Sequence, residues 1–464
     1  MRLLGLIAST LYLTACGSVL FQPIRTIDAV DPQHGYRLEN AVQKRQQESD
    51  EMLMVMAFSG GGTRAAALGY GVLETMSQQT VYVNQRQTPL TEEVDLAFGI
   101  SGGSVLAAYY ALHGSDTVPA FEKAFLSKNL QKQLIDQVFS MSNWPRLTSP
   151  EFGRGDLLQE EFNRSLFHHA TFADVLERRK GPFAVIGATD MNTGERIDFT
   201  QEYFDMLCLD VTDVEVARAV ASSSAVPLVF APVTFNNHGG TCAHQAPQGQ
   251  AAVDTQAAGR FSRKTRQELA RQVASYADRT ARPYIHLLDG GLTDNLGLRA
   301  ILDAADLYSR ERFYDRFTND TTDKIVLVNI NAQNRPTSVI DLSANIPKIS
   351  DVVRALINIP IDRNSQETLR QFRKFVDDWQ QNPPTNRDGK PIKLYFISLN
   401  LSDVRDDALR EQVLNIPTSF YLPPWEIGSL KRAARDLLYH SAEYRRLLRD
   451  LSSPPVAETT ESAP

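Results

Sequence analysis

The chain reads as an α/β protein whose mostly parallel central sheet carries helices on both faces, with extra helices towards its C-terminal end. Three observations support that reading. Apolar runs of strand length recur at 52–58, 94–98, 183–188, 284–288, 324–330 and 392–399. The first, Met-Leu-Met-Val-Met-Ala-Phe, is continuous rather than alternating, the pattern of a strand buried on both faces. Helical patterns lie between these runs, and two of them open directly from glycine-rich turns at Gly60 and Gly99. With 464 residues, 42% hydrophobic and 22% charged, the composition excludes a mainly disordered, collagenous or multi-span membrane protein.

At the N-terminus, Arg2 precedes an apolar run over 3–13. This is too short to span a bilayer, which needs roughly 20 residues, and has the size of a signal-peptide core. Leu13-Thr14-Ala15-Cys16 resembles a bacterial lipoprotein lipobox. That resemblance implies a signal peptide over 1–15, a lipidated Cys16 and a cell-envelope lipoprotein held by its acyl chains. Gly17 rather than Asp implies, in a Gram-negative host, an outer-membrane protein facing the periplasm. Residues 16–50 are polar and weakly periodic, and read as a tether. Residues 452–464 are rich in Pro, Ser, Thr and Glu, and read as a disordered tail.

Cys208 and Cys242 are the two remaining cysteines. They could pair in an oxidising compartment or stay as separate thiols, and their spacing does not decide. Forty-eight basic against fifty-five acidic residues, a net charge of -7, argues against nucleic acid as a partner.

Three motifs carry chemistry. Gly99-Ile100-Ser101-Gly102-Gly103 fits G-x-S-x-G, a sharp strand-to-helix turn that lifts a serine out of the sheet. Its place after an apolar run and before an apolar helix over 104–112 strengthens the match. Gly60-Gly61-Gly62-Thr63-Arg64-Ala65 also joins a strand to a helix. It satisfies a dinucleotide fingerprint, and equally a nest of N–H groups for an oxyanion with Arg64 bracing the loop. The oxyanion reading is preferred, because no acidic residue closes a second strand at the expected distance. Leu287-Leu288-Asp289-Gly290-Gly291 places a carboxylate at a strand end, where it could act as a base or simply form a turn.

Together these three motifs resemble the patatin-like phospholipases. Two further segments agree, 188–194 (Ala-Thr-Asp-Met-Asn-Thr-Gly) and 217–227, which runs through Ser222-Ser223-Ser224 to Pro227. The resemblance covers about 52–300 and implies a patatin-like α/β/α sandwich. It also implies a Ser–Asp dyad, with Ser101 as nucleophile and Asp289 as general base. Gly60, Gly61, Gly62 and Arg64 would form the oxyanion loop, and no cofactor or metal would be needed. The catalytic domain is then expected over 51–300, with 301–451 completing the same domain. Ala65 stands where the family often has Gly, and 236–280 is an insertion, read as a decorated loop or a lid.

The function so implied is a membrane-anchored serine carboxylic ester hydrolase acting on phospholipids or lysophospholipids. A non-hydrolysing lipid-binding or transfer protein on the same fold is the alternative. A Ser–acid–His triad would have to use His440, the sole histidine after Asp289, which lies in a basic helical pattern over 425–451 that reads as a helix surface. Neither His168-His169 nor Cys242-x-His244 completes a metal-ligand set.

Overall fold

The computed structural model describes residues 23–41, 51–178, 180–242, 260–307, 321–335, 344–386 and 388–452. The signal peptide, Cys16, the middle of the insertion (243–259) and the tail beyond 452 lie outside the described residues.

Eight strands form the main sheet: β1 Met52–Phe58, β2 Leu96–Ile100, β3 Phe183–Asp190, β4 Arg196–Asp198, β5 Val233–Asn236, β6 Tyr284–Asp289, β7 Lys324–Asn331 and β8 Lys393–Asn400. Their order is β8-β7-β1-β2-β3-β6-β5, with β4 paired to β3 off that path. The five strands from β8 to β3 run parallel. β6 is antiparallel to β3, and β5 to β6. The expected mostly parallel sheet is therefore present, with an antiparallel margin at β6. Six of these strands coincide with the apolar runs. β4 and β5, only three and four residues long, were not anticipated.

β1 shows why continuous apolarity marks the parallel part. Met52, Met54, Met56 and Phe58 enter one core, while Leu53, Val55 and Ala57 enter the other. The first core is built with α1 (Thr63–Ser77) and α2 (Gly102–His113), through Leu68, Val72, Val105 and Leu106. The second core takes Leu296, Leu298 and Leu302, and the C-terminal half of a long helix through Phe372, Val376 and Trp379. β6 differs, since Tyr284 and His286 are exposed while Ile285, Leu287 and Asp289 are buried. That alternation fits a strand with one open face.

The other helices used below are α3 (Val216–Ser223), α4 (Arg260–Ala277), α5 (Ile349–Gln381), α6 (Pro424–His440) and α7 (Ala442–Asp450). The basic pattern over 425–451 is two helices, because the Ser441 hydroxyl accepts the Tyr444 N–H and starts a new one. α6 packs on α1, with Lys431 bonded to Glu74 and Glu122. Arg446 of α7 donates to the Leu394 carbonyl and lies over the Tyr395 ring. Part of the stretch read as a tether is docked rather than free. Tyr36 is buried against Ala184, and Arg37 makes a buried bidentate pair with Asp205 at 2.7 and 3.0 Å.

Candidate active site

β2 delivers the serine. Ile100 pairs with Gly187 of β3, and the chain then turns at Ser101 with φ 50°, a left-handed value that a non-glycine residue holds only when its surroundings enforce it. The enforcing contact is local. The Ser101 N–H donates to Ser223 Oγ at 2.8 Å, and the Ser223 hydroxyl donates to the Gly187 carbonyl at 2.6 Å. α2 begins at the next residue. A Cβ on Gly102 would lie 1.9 Å from the Gly62 carbonyl, so the G-x-S-x-G turn and the glycine-rich loop pack backbone against backbone.

β6 delivers the aspartate. It enters antiparallel to β3, and its last pair is Asp289 with Ala188, one residue from Gly187. The Ser101 hydroxyl donates to Asp289 Oδ2 at 2.7 Å, and the Gly291 N–H donates to Oδ1 at 2.8 Å. Asp289 N–H reaches the Ala225 carbonyl, and Gly290 N–H the Ser223 carbonyl. Ser223 thus grips the turns on both sides of the Ser–Asp contact. Ser101 is 6% exposed and Asp289 7%. Burial raises the Asp289 carboxyl to about 6, against the opposing pull of its hydrogen bonds from Gly291 and Ser101. A carboxylate in that range is a better proton acceptor than an ordinary surface aspartate.

The glycine-rich loop sits over this pair. A Cβ on Gly60 would stand 3.5 Å from Ser101 Cβ. Gly60 differs from its neighbours, because its N–H is already bonded to the Asn295 carbonyl at 2.9 Å. Among the described residues the Gly61 and Gly62 N–H groups have no intramolecular acceptor. Gly62, at φ 61°, lies against Ser419, whose carbonyl accepts the Thr63 N–H at 2.9 Å. Arg64 does not point into the site. Its Nε donates to the Ala332 carbonyl at 2.7 Å and an Nη to that of Ile416 at 2.8 Å, which fastens the loop to two other segments. Burial lowers its guanidinium to about 10, so it stays cationic at neutral pH.

The structure therefore brings together Ser101, Asp289 and the Gly60–Gly62 turn, with Arg64 as a brace behind it. His440 lies elsewhere, on the last turn of α6, with its Nδ1 on the Asp436 carbonyl at 2.9 Å. No histidine is bonded to Ser101 or Asp289 among the described residues. Among those residues, too, no group of three or more His, Cys, Asp or Glu could hold a metal ion. Cys208 and Cys242 are joined, with their Cα atoms 5.5 Å apart, across a sequence separation of 34. Ser223 and Asn295 had no role in the sequence reading. The signal for Ser223 is its place in the serine run of 217–227, a segment that shares in the family resemblance.

A family model, "Patatin-like phospholipase", matches residues 56–302, more than half of the chain. No curated protein matches the chain. Among solved structures, a human GIVD cytosolic phospholipase A2 in complex with methyl gamma-linolenyl fluorophosphonate is 12% identical, with a TM-score of 0.42. That match covers 89% of this chain and 62% of the human chain, so the chain spans less than two thirds of its length. VipD from Legionella pneumophila is 11% identical at a TM-score of 0.34, covering 87% of this chain and 67% of that one.

Proposed function

Because this chain belongs to the patatin-like phospholipase family, a family of lipid acyl hydrolases, we propose that it cleaves acyl esters of phospholipids or lysophospholipids with a Ser101–Asp289 dyad. The observation that carries this reading is the 2.7 Å hydrogen bond from the Ser101 hydroxyl to a buried carboxylate whose proton affinity is raised to about 6. Ser101 Oγ attacks the ester carbonyl carbon while its proton passes to Asp289. The carbonyl oxygen becomes an oxyanion, stabilised by the N–H groups of Gly61 and Gly62, which have no acceptor among the described residues. Gly60 and Arg64 serve by holding that loop. Collapse of the intermediate breaks the ester C–O bond, and Asp289 returns its proton to the departing alcohol oxygen. A water then attacks the acyl-serine, giving its proton to Asp289 as its oxygen bonds the carbonyl carbon. Collapse of this second intermediate breaks the bond between the carbonyl carbon and Ser101 Oγ, Asp289 returns the proton to Oγ, and the fatty acid leaves.

We also propose that the protein is an envelope lipoprotein anchored through Cys16 and, in a Gram-negative host, held on the periplasmic side of the outer membrane. The joined Cys208 and Cys242 support an oxidising compartment.

The test is fatty-acid release from phospholipid and lysophospholipid vesicles by the wild type, Ser101→Ala and Asp289→Asn. Loss of nearly all release in both folded variants is expected. Release that survives Ser101→Ala sinks the mechanism. A wild type that binds lipid without releasing fatty acid favours a lipid-binding or transfer protein instead.

A further inference from the structure

α5 changes character at Pro360. Beyond it, Ser365, Thr368, Phe372, Val376 and Trp379 are buried against the body. Before it, Ile349, Val352, Leu356 and Ile359 are 83%, 47%, 70% and 53% exposed, and Ile346 just ahead of the helix is 94% exposed. Their spacing sets them on one stripe of the helix. The segment leaves the body beside the dyad. Asp362 receives a hydrogen bond from Gln333, which follows β7, and α5 packs against Gly291–Asp294, the turn after Asp289. From there back to Ile349 the helix rises about 20 Å. Among the described residues no helix is long and apolar enough to cross a membrane, so the stripe is not part of a spanning segment.

Charge narrows the choice of occupant. Lys348, Arg354 and Arg363 are exposed. The segment's two acids are partly buried, Asp351 beside Arg354 and Asp362 with Gln333. In a chain of net charge -7, this segment's fully exposed charges are therefore all cations, with its two acids only partly exposed. A second copy seated on the stripe would bring like charges together. An apolar stripe flanked by cations matches an anionic bilayer surface, with aliphatic side chains below the headgroups and Lys and Arg among them.

We propose that residues 346–363 dock the protein on an anionic phospholipid surface and hold the mouth of the Ser101 site against it. The proposal rests on the lipid-hydrolase reading above. The test uses the full chain carrying Cys16→Ser, so that no acyl anchor contributes, and vesicles of equal parts phosphatidylcholine and phosphatidylglycerol. In that background Ile349→Ser, Val352→Ser and Leu356→Ser combined should lower vesicle cosedimentation by roughly a hundredfold, since three exposed aliphatic contacts are removed. Lys348→Gln, Arg354→Gln and Arg363→Gln combined should lower it on these vesicles and not on pure phosphatidylcholine. Hydrolysis of a soluble short-chain ester and the melting temperature report the dyad and the fold in every variant. Cosedimentation unchanged by the triple serine variant overturns the proposal. So does a wild-type dimer that the serine variant converts to monomer without loss of vesicle binding, which assigns the stripe to a second copy. A wild type that binds vesicles through the stripe yet cleaves no ester overturns the hydrolase reading alone.

Discussion

Asp190 and Asp289 lie on the same short ladder between β3 and β6, where Asp190 pairs with Leu287 and Ala188 with Asp289. Both are buried, and they differ in what faces them. Asp190 receives the Arg282 guanidinium at 2.6 Å and the Tyr276 hydroxyl at 2.8 Å. Asp289 has a serine hydroxyl, one backbone N–H and no cation among its described partners. Asp190 joins α4 and the chain after it to the central sheet, so its charge is neutralised and its role is structural. Asp289 has no counter-ion among the described residues and is buried, so the penalty of burial becomes proton affinity. Of two buried aspartates on one ladder, the one without a counter-ion is the one poised for chemistry.

The contrast breaks most visibly in activity. Ser101→Ala should lower fatty-acid release by at least about 10⁴-fold, and Asp289→Asn by about 10²–10⁴-fold, in assays on folded protein. Asp289→Asn should not lower the melting temperature at neutral pH, because it removes a buried charge. Arg282→Met should do the reverse: it strands Asp190 and destabilises by about 3–5 kcal/mol in denaturant titration, while the remaining folded fraction keeps its turnover. Equal stability losses in the two variants would erase the distinction. Replacing both Cys208 and Cys242 by Ala opens a 34-residue separation and should destabilise by about 3–4 kcal/mol on the chain-entropy estimate. Ser223→Ala removes the acceptor that holds the Ser101 turn, and should lower kcat about tenfold with little change in KM. The pH response sharpens the comparison further. With Asp289 raised from 3.8 to about 6, kcat/KM should fall tenfold per unit below about pH 6, as the base becomes protonated. The stability sign is opposite to that of a salt-bridged aspartate. Between about pH 4 and 6 the folded chain holds a proton that the unfolded chain releases, so this group disfavours folding increasingly as pH rises through that window.

Much of this was legible because the parallel strands are buried on both faces and must be continuously apolar, and because a serine on a sharp turn needs glycine around it. The same logic singled out Ser101 and the glycine-rich loop, whereas Asp289 alone reads as readily as a turn residue and took its role from the family resemblance. It missed what depends on distant pairing. β6 is apolar enough to pass for another parallel strand, and its direction is set by partners on β3 and β5. β5 is too short to signal itself. Gly60 cannot be told from Gly61 and Gly62 by residue type, yet the Asn295 carbonyl takes its N–H. Whether Cys208 and Cys242 met was a question of distance. α5 was not anticipated, since Pro360 interrupts its pattern.

β6 has one more consequence. Its side chains alternate, with Ile285, Leu287 and Asp289 on the buried side, and three pairs with β3 and four with β5 hold its register. A slip of one residue would bring Leu288 or Gly290 to the serine and turn the carboxylate to the opposite face. The proposed reaction would thus be encoded in strand alignment as well as in residue identity. Insertion or deletion of a single residue between Tyr284 and Asp289 should silence the protein as completely as removing the aspartate, with every chemical group still present.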